Sequence, residues 1–300
     1  MTRALPALVL LLQSVISVRT ELVAVPVTVT DARGHHVLGL GQENFRVYED
    51  GRPQPITVFH HGEVPVTLGV IVDRSQSMRP KQAALMAAVS AVLESSGPDD
   101  ELFGVDFNDD VSLALHGDRV FTNDASALAV ALSAVRAEGR TALYDGVAEG
   151  LRHLELGHSQ RNVLIVVSDG GDNASRQTYA QVVALARRSQ AVIFAIGLLG
   201  TAPAAEDEDA GLLTRLCKET GGTAYFPRSI EASAAVSHQI ARDLRELYTL
   251  GFSPGPRTDG RTFRKIAVTV SAPGLGRLHV RTRAGYAVPG EKPDGRADKR

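Results

Sequence analysis

The segment IVDRSQSM, residues 71–78, places one carboxylate and two hydroxyl groups at alternating positions directly after an apolar run. The side chains concerned are Asp73, Ser75 and Ser77. In an extended turn, residues two apart point the same way, so these oxygen donors can converge on one ligand. A donor set without sulfur or an obligatory imidazole favours Mg²⁺ or Mn²⁺ over zinc. In the competing interpretation, Ser77 caps a helix that begins near Pro80 and Asp73 accepts hydrogen bonds from backbone N–H groups.

Two further loops carry oxygen donors. The segment GRTALYDG contains Thr141 and Asp145, and the segment SDGGDN contains Asp169 and Asp172. In a doubly wound sheet, the loops that follow the carboxyl ends of parallel strands converge at one edge. We therefore expect these side chains to lie at the same edge as the segment that begins at Asp73.

The pattern from residue 66 onward predicts the elements that position these loops. The apolar run VTLGVIVD is typical of a parallel strand that is covered on both faces. The segments ELFGVDF, RNVLIVVSD and AVIFAIGL have the same character, and helical spacing separates them. Helices are expected at KQAALMAAVSAVLES, from about 142 to 154, and from 230 to 247. This alternation predicts an α/β fold with a doubly wound, mostly parallel, Rossmann-like sheet.

Period-two patterns precede and follow this region and predict a small antiparallel β module that flanks the α/β domain or receives it as an insertion. The first strand-rich segment runs from Thr20 to His61, and the pattern returns after Tyr248. Two hairpins alone are marginally stable, so the two segments are expected to pair in space. The expected divisions are a leader at 1–18, an N-terminal β module at 19–64, the α/β domain at 65–247, C-terminal strands at 248–288 and a disordered tail at 289–300.

Composition excludes some classes of function. The formal net charge is −2, Trp is absent and aromatic residues make up 5% of the chain, so neither a basic field nor a stacking platform for nucleic acid is expected. The single cysteine, Cys217, lies at helical spacing from Leu213 and Leu216, which predicts a buried apolar role. It has no partner for an internal disulfide bond.

The N-terminus resembles a signal peptide. Arg3 precedes an apolar stretch from Ala4 to Val18 that is too short to span a bilayer comfortably but suits a signal-peptide core. A buried N-terminal strand or helix is the alternative. We expect export to the periplasm, the cell surface or the medium, with membrane contact only through export or the leader.

The histidine pairs do not predict a zinc site. His35 and His36, and likewise His60 and His61, are adjacent in strand or turn segments. Neighbouring strand residues point to opposite faces, so neither pair can chelate one ion. Solvent-facing positions are expected for them.

The remaining charged clusters favour solvated surfaces. The acidic stretch Glu206 to Asp209 lacks the ligand alternation and glycine of a dedicated calcium loop, so a solvated loop is expected. Arg277, Arg281 and Arg283 are expected on a solvated sheet face.

The order Asp-x-Ser-x-Ser at 73, 75 and 77, Thr141, and Asp-Gly at 169 and 170 resembles the von Willebrand factor A-type domain. The resemblance covers about Pro65 to Leu247. It implies a metal-ion-dependent adhesion site in which Ser75, Ser77 and Thr141 coordinate the ion, while Asp73 and Asp169 act directly or through water. The flanking segments are similar to those of bacterial exported proteins known mainly from Acidobacteria, usually described as related to this family.

The resemblance implies an interaction module. Five side chains leave at least one position of an octahedral ion for an outside oxygen, and an Asp or Glu carboxylate of a protein partner suits it. We expect Mg²⁺, with Mn²⁺ or Ca²⁺ as alternatives, and neither a small-molecule substrate nor an enzymatic activity. An envelope scaffold with a merely stabilising metal remains open, as does a Mg²⁺-dependent phosphoryl hydrolase. The chain has no Gly-rich phosphate loop with a Lys, which disfavours the latter.

Overall fold

The computed structural model describes residues 22–115, 117, 120–200, 209–255 and 262–287. The expected leader, the tail and residues 206–208 of the acidic stretch lie outside the described residues. No helix in the described ranges is both long and apolar enough to cross a bilayer.

The strands of the central sheet are β5 (Val66–Asp73), β6 (Glu101–Phe107), β7 (Val111–Leu113), β8 (Arg161–Ser168), β9 (Val192–Gly197) and β10 (Ala224–Tyr225). Their order in the sheet is β10-β9-β8-β5-β6-β7. Neighbouring strands pair in parallel, except that β7 runs antiparallel to β6. The helices are α1 (Gln82–Glu94), α2 (Ala125–Ser133), α3 (Leu143–Leu154), α4 (Tyr179–Arg188), α5 (Ala210–Thr220) and α6 (Ile230–Arg245).

Helices cover both faces of the central sheet because its strands are apolar on both sides. Val70 and Val72 of β5 pack with α1, α2 and α6, whereas Ile71 packs with α3, α4 and α5 on the opposite face. Such continuous burial is what an apolar run without alternation requires. The predicted fold class, a doubly wound and mostly parallel sheet accompanied by antiparallel strands, is confirmed.

Two antiparallel sheets contain strands from both ends of the chain. Their strands are β1 (Val23–Thr30), β2 (Phe45–Glu49), β3 (Arg52–Gln54), β4 (Val58–His61), β11 (Tyr248–Phe252), β12 (Phe263–Val270), β13 (His279–Thr282) and β14 (Gly285–Ala287). The strand orders are β13-β1-β11-β4 in one sheet and β14-β12-β2-β3 in the other. Val25 of β1 lies opposite Leu250 of β11, and both pack in one core with Phe45 and Ile266 of the other sheet.

A buried carboxylate on α6 connects the two parts of the molecule. Asp243 accepts hydrogen bonds from Arg281 Nη2 at 2.9 Å and from Tyr225 Oη at 3.0 Å. His36 Nε2 lies 2.7 Å from Asp243 Oδ1, and Gln239 Nε2 donates to the same oxygen at 2.8 Å. His36 and Arg281 come from the antiparallel part, so Asp243 attaches the last helix of the α/β part to it.

The expectation that both histidine pairs face solvent was wrong for one member of each pair. His36 contacts Asp243, and His61 stacks on Tyr248 with ring centroids 4.2 Å apart. Their neighbours His35 and His60 are exposed. Side chains at adjacent extended positions point to opposite sides, so one of each pair turns inward.

The expectation of a solvated arginine face was wrong for Arg281 and Arg283. Arg281 is half-buried against Asp243, and Arg283 is buried, with Nη2 donating to the backbone oxygens of Arg187 and Ser189 at the end of α4. Planar guanidinium groups suit such multiple backbone contacts. Cys217 is buried as predicted, and burial raises the pKa of its thiol.

Candidate metal centre

The site lies where the central strands β5 and β8 end. Asp73 is the last residue of β5 and Ser168 the last of β8, and the two strands pair in parallel. Their following loops therefore leave from the same edge of the sheet. Thr141 lies on the second loop and Asp169 on the third, and hydrogen bonds join both loops to this edge.

The serine hydroxyl groups of the first loop do not cap a helix. Asp73 Oδ1 accepts a hydrogen bond from Ser75 N at 2.9 Å, which is the turn contact expected for Asp73. A 3₁₀ helix then runs from Gln76 to Lys81, and its N-cap, Ser75, makes no side-chain capping bond. Lys81, not Ser77, is the N-cap residue of α1, so the helix-cap interpretation of Ser77 was wrong. The hydroxyl oxygens of Ser75 and Ser77 lie 3.0 Å apart.

Hydrogen bonds that involve the backbone join the three loops. Gln76 N donates to Gly139 O at 3.0 Å, which ties the first loop to the second. Thr141 N donates to Asn173 Oδ1, and Asn173 N donates back to Thr141 O, both at 2.9 Å. The loops thus hold their shape through contacts of the protein itself.

A glycine lets the third loop turn beside Asp169. Gly170 has φ +91°, and a Cβ atom added there would lie 2.4 Å from the carbonyl oxygen of Asp209. Gly170 N donates to Ser168 Oγ at 3.0 Å, and Ser168 Oγ donates to Asp73 Oδ2 at 2.5 Å. Ser168 therefore connects the carboxylate of the first loop to the backbone of the third.

Asp209 has a defined structural place beside this turn. Its side chain caps α5 by accepting from Leu212 N at 2.7 Å, and its backbone N–H donates to Asp169 O at 3.3 Å. The last residue of the acidic stretch is thus a helix cap.

Two carboxylates are buried at this edge. Asp73 is 0% and Asp169 1% exposed. Burial raises the pKa of Asp73 to about 6; hydrogen bonds from Ser168 and Ser75 act in the opposite direction, and the nearby charge of Asp169 adds to the rise. Asp169 Oδ2 accepts from Lys81 Nζ at 2.9 Å. Buried carboxylates in such proximity favour a cation between or beside them.

The donor set fits a hard divalent cation. Asp169 Oδ1 is buried and has no hydrogen-bond partner among the described residues, although a buried carboxylate oxygen normally has one. The hydroxyls of Ser75 and Ser77 face each other instead of capping a helix, and Thr141 is also buried. Within the same ranges, no group of three or more His, Cys, Asp or Glu side chains could hold a metal. Hydroxyl and carboxylate oxygens together are ligands that Mg²⁺ and Ca²⁺ accept.

The other acidic residues of these loops have structural contacts. Asp172 Oδ1 accepts from Tyr144 N at 3.1 Å and from Ser175 Oγ at 2.5 Å. The carboxylate of Asp145 accepts from the backbone N–H groups of Arg176 and Gln177 at 2.8 and 2.9 Å. Asp145 lies in the first turn of α3, so it and Asp172 brace the start of this helix against the third loop.

Sequence reasoning missed Ser168, Lys81 and Arg74 as parts of this edge. Ser168 directly precedes Asp169 at a strand end, which is a signal that could have been used. Arg74 is 1% exposed, and its three side-chain nitrogens have no hydrogen-bond partner in the part of the chain that the structure describes. Burial lowers the pKa of Arg74, whereas the charges of Asp106 and Asp73 raise it.

Comparison with known proteins supports the fold. Residues 68–239 match the model of the von Willebrand factor type A domain. A solved structure described as von Willebrand factor type A from Catenulispora acidiphila is similar, with a TM-score of 0.53 and 14% identity, covering 80% of this chain and 73% of that one. A comparison with curated proteins gives no significant match.

A mussel protein shares the fold as well. Proximal thread matrix protein 1 from the mussel byssus has a TM-score of 0.51 and 16% identity, covering 66% of this chain and 51% of that one. Another structure of that protein, described as having a zinc-occupied MIDAS motif, has a TM-score of 0.50 and 17% identity, covering 67% and 50%. At these identities the likeness concerns the fold alone.

Proposed function

The chain belongs to the von Willebrand factor type A domain family, and from this premise we propose that it is a metal-ion-dependent protein-interaction module. The cation is held at the edge where β5 and β8 end. The proposed ligand set comprises Asp73, Ser75, Ser77, Thr141 and Asp169. The observation that carries the proposal is the buried Oδ1 of Asp169, which lacks a hydrogen-bond partner among the described residues.

The residues of the proposed ligand set have different roles. Ser75 and Ser77 present a pair of hydroxyl oxygens 3.0 Å apart, and the turn contact to Asp73 fixes their position. Asp73 and Asp169 supply negative charge from within the protein, where it is weakly screened. Thr141 is positioned by its backbone contacts with Asn173.

Oxygen donors of this kind favour Mg²⁺, with Mn²⁺ or Ca²⁺ as alternatives. The zinc ion in the description of the mussel protein concerns that protein and does not identify the ion of this chain. Once bound, the cation supplies a positive point of attachment for an oxygen ligand. The proposed partner is a protein that brings an Asp or Glu carboxylate, because such a group contributes both a ligand atom and a compensating charge.

The loop contacts favour interaction over a purely structural metal. The bond between Gln76 and Gly139 and the two bonds between Thr141 and Asn173 already join the three loops. A cation is therefore not needed to hold them together. We propose a non-enzymatic module, without a nucleic-acid or small-molecule substrate, and not an envelope scaffold or a phosphoryl hydrolase.

The proposal extends to organisation and location. The α/β domain occupies 65–247, and the segments at 19–64 and 248–288 form one β module, consistent with the pairing of β1 with β11 and β13. We propose that the protein is exported, to the periplasm, the cell surface or the medium. From the resemblance of its flanking segments, we also propose membership of the bacterial exported group known mainly from Acidobacteria.

The first prediction tests the cation site. We expect Mg²⁺ or Mn²⁺ to raise the thermal unfolding midpoint of the wild type above its value in EDTA, because a ligand of the folded state stabilises it. The rise should disappear in Asp169→Ala and in the double variant Ser75→Ala, Ser77→Ala. Ser175→Ala is the matched control, since it removes a hydroxyl from the same edge outside the ligand set. A wild-type midpoint equal in metal and EDTA would contradict the proposal.

The partner is tested by capture. Immobilised wild-type protein should retain a protein from envelope extract in Mg²⁺ and release it in EDTA, and Asp169→Ala should retain none. Retention by Asp169→Ala equal to that of the wild type would overturn the metal-bridged mechanism.

A further inference from the structure

A lysine contacts a carboxylate of the proposed ligand set. Lys81 Nζ lies 2.9 Å from Asp169 Oδ2. The side chain of Lys81 is 15% exposed and that of Asp169 is 1% exposed. An ion pair with this little solvent around it is screened much less than a surface pair.

Local structure places the lysine there. Lys81 ends the 3₁₀ helix that begins at Gln76 and is the N-cap residue of α1. The loop that carries the two serines therefore also carries the ammonium group, and the ion pair joins it to the loop after β8. The partners are separated by 88 residues in the sequence.

The ammonium group opposes a divalent cation at the same carboxylate. A cation that coordinates Asp169 Oδ2 competes with Lys81 for the lone pairs and the negative charge of that oxygen. A cation that coordinates Oδ1 is spared this competition but lies close to the ammonium charge, and the two repel. In both cases the free energy of cation binding is less favourable than it would be at the same site without Lys81.

We propose that Lys81 is an internal cation that competes with the divalent ion for Asp169 and so sets the metal affinity of the site. This inference rests on the proposed function. Lys81 also stabilises the edge by itself, because removal of one partner from a buried pair leaves an uncompensated charge. Its flexible four-carbon stem and partial exposure allow the ammonium group to move toward solvent when the ion binds.

Competition predicts effects of opposite sign. Lys81→Met should lower the unfolding midpoint in EDTA, because Asp169 loses its counter-charge. The same variant should bind Mg²⁺ and Mn²⁺ more tightly and show a larger metal-induced rise. If the role of Lys81 were only structural, Lys81→Met would have a lower unfolding midpoint and no gain in metal affinity.

Arg140→Met is the matched control. Arg140 precedes Thr141, and its Nε donates to the exposed Asp109 at 2.7 Å. The substitution removes one positive charge from the same edge without touching Asp169. It separates direct competition from a general change in the local field.

The experiment is a calorimetric titration of Mg²⁺ and Mn²⁺ into the wild type, Lys81→Met, Lys81→Arg and Arg140→Met, with circular dichroism as the folding check. We expect a dissociation constant about tenfold lower in Lys81→Met, corresponding to about 1.4 kcal/mol. Arg140→Met should stay within about twofold of the wild type, since exposed charges contribute little. Lys81→Arg keeps the charge and should remain near the wild type. If Lys81→Met does not fold, Lys81→Gln, which keeps a neutral donor for Asp169, takes its place.

The outcomes separate this inference from the proposed function. If the wild type binds metal, Ser75→Ala, Ser77→Ala does not, and the folded Lys81 variant binds no more tightly than the wild type, the role of Lys81 is overturned and the metal site stands. If neither the wild type nor any variant binds metal, both the role of Lys81 and the proposed function are overturned. If Lys81→Met binds metal more tightly than the wild type and Arg140→Met does not, the result supports both the role of Lys81 and the proposed function.

Discussion

Asp73 and Asp169 are buried side by side but are held by different partners. Asp73 has both oxygens engaged, one with Ser75 N and the other with Ser168 Oγ, whereas Asp169 has an ammonium on one oxygen and no partner for the other among the described residues. Asp73 therefore has the character of a fixed anchor. In the proposed site, Asp169 is the carboxylate that has an oxygen to offer a cation, so its backbone position should control metal affinity.

Gly170 controls that position. We predict that Gly170→Ala destabilises the fold by about 1–3 kcal/mol and weakens Mg²⁺ binding, because φ is +91° and the new Cβ would lie 2.4 Å from Asp209 O. Gly274→Ala is the matched control, with φ +87° and no atom within 4 Å of the added Cβ. It should cost about 1 kcal/mol and leave metal binding unchanged. Denaturant unfolding and calorimetry measure both; equal metal affinities for the two variants would contradict the prediction.

At the edge of the central sheet opposite the candidate site, hydrogen bonds join the beginnings of the strands. These bonds help to fix the strand register that brings the loops to one edge. Glu101, at the start of β6, accepts from Thr67 Oγ1 of β5 at 2.6 Å and from His158 N at 2.8 Å. Ser159 donates to it as well. The contact joins β6 to β5 and to the loop that leads into β8, and β5 and β8 carry the candidate site at their other ends.

Glu101 makes stability depend on pH. Burial raises its pKa, but the hydrogen bonds from Thr67, His158 and Ser159 outweigh burial and lower it from 4.5 to about 2. A carboxylate with a lowered folded pKa stabilises the fold above its unfolded pKa, and this contribution is lost as pH falls from about 4.5 to about 2. We predict that Glu101→Gln loses about 1–2 kcal/mol at pH 7, allowing for solvent screening.

The measurement for Glu101 is denaturant unfolding across this pH range. The wild type and Glu101→Gln should converge as the solution is acidified. Glu149→Gln, which removes an exposed partner of Arg152, serves as control and should change little at any pH. A difference between wild type and Glu101→Gln that persists unchanged at acid pH would refute the assignment.

For the molecule as a whole, local sequence patterns were sufficient to predict the helices and strands that form the layers of the α/β part, and the sheet edge at which the candidate site lies. The apolar run to Asp73 indicated a doubly covered strand, and parallel topology then placed the loops of Thr141 and Asp169 beside it. Contacts between distant residues were not predictable, because they depend on how helices rotate against the sheet. Lys81 with Asp169 is one example, and His36 with Asp243, 207 residues apart, is another.

Asp243 couples the α/β part to the β module, and its loss should affect stability without affecting the site. Burial raises its pKa, but Arg281 and the hydrogen bonds from Gln239 and His36 lower it by more, so it stabilises the fold above about pH 4 and less below. We predict that Asp243→Asn costs about 1–3 kcal/mol at pH 7 in denaturant unfolding, with a smaller loss at pH 3. Asp109→Asn, at an exposed pair, should cost far less. Metal affinity equal to wild type would place Asp243 in the coupling of the two parts, whereas weakened metal binding at full stability would contradict this assignment.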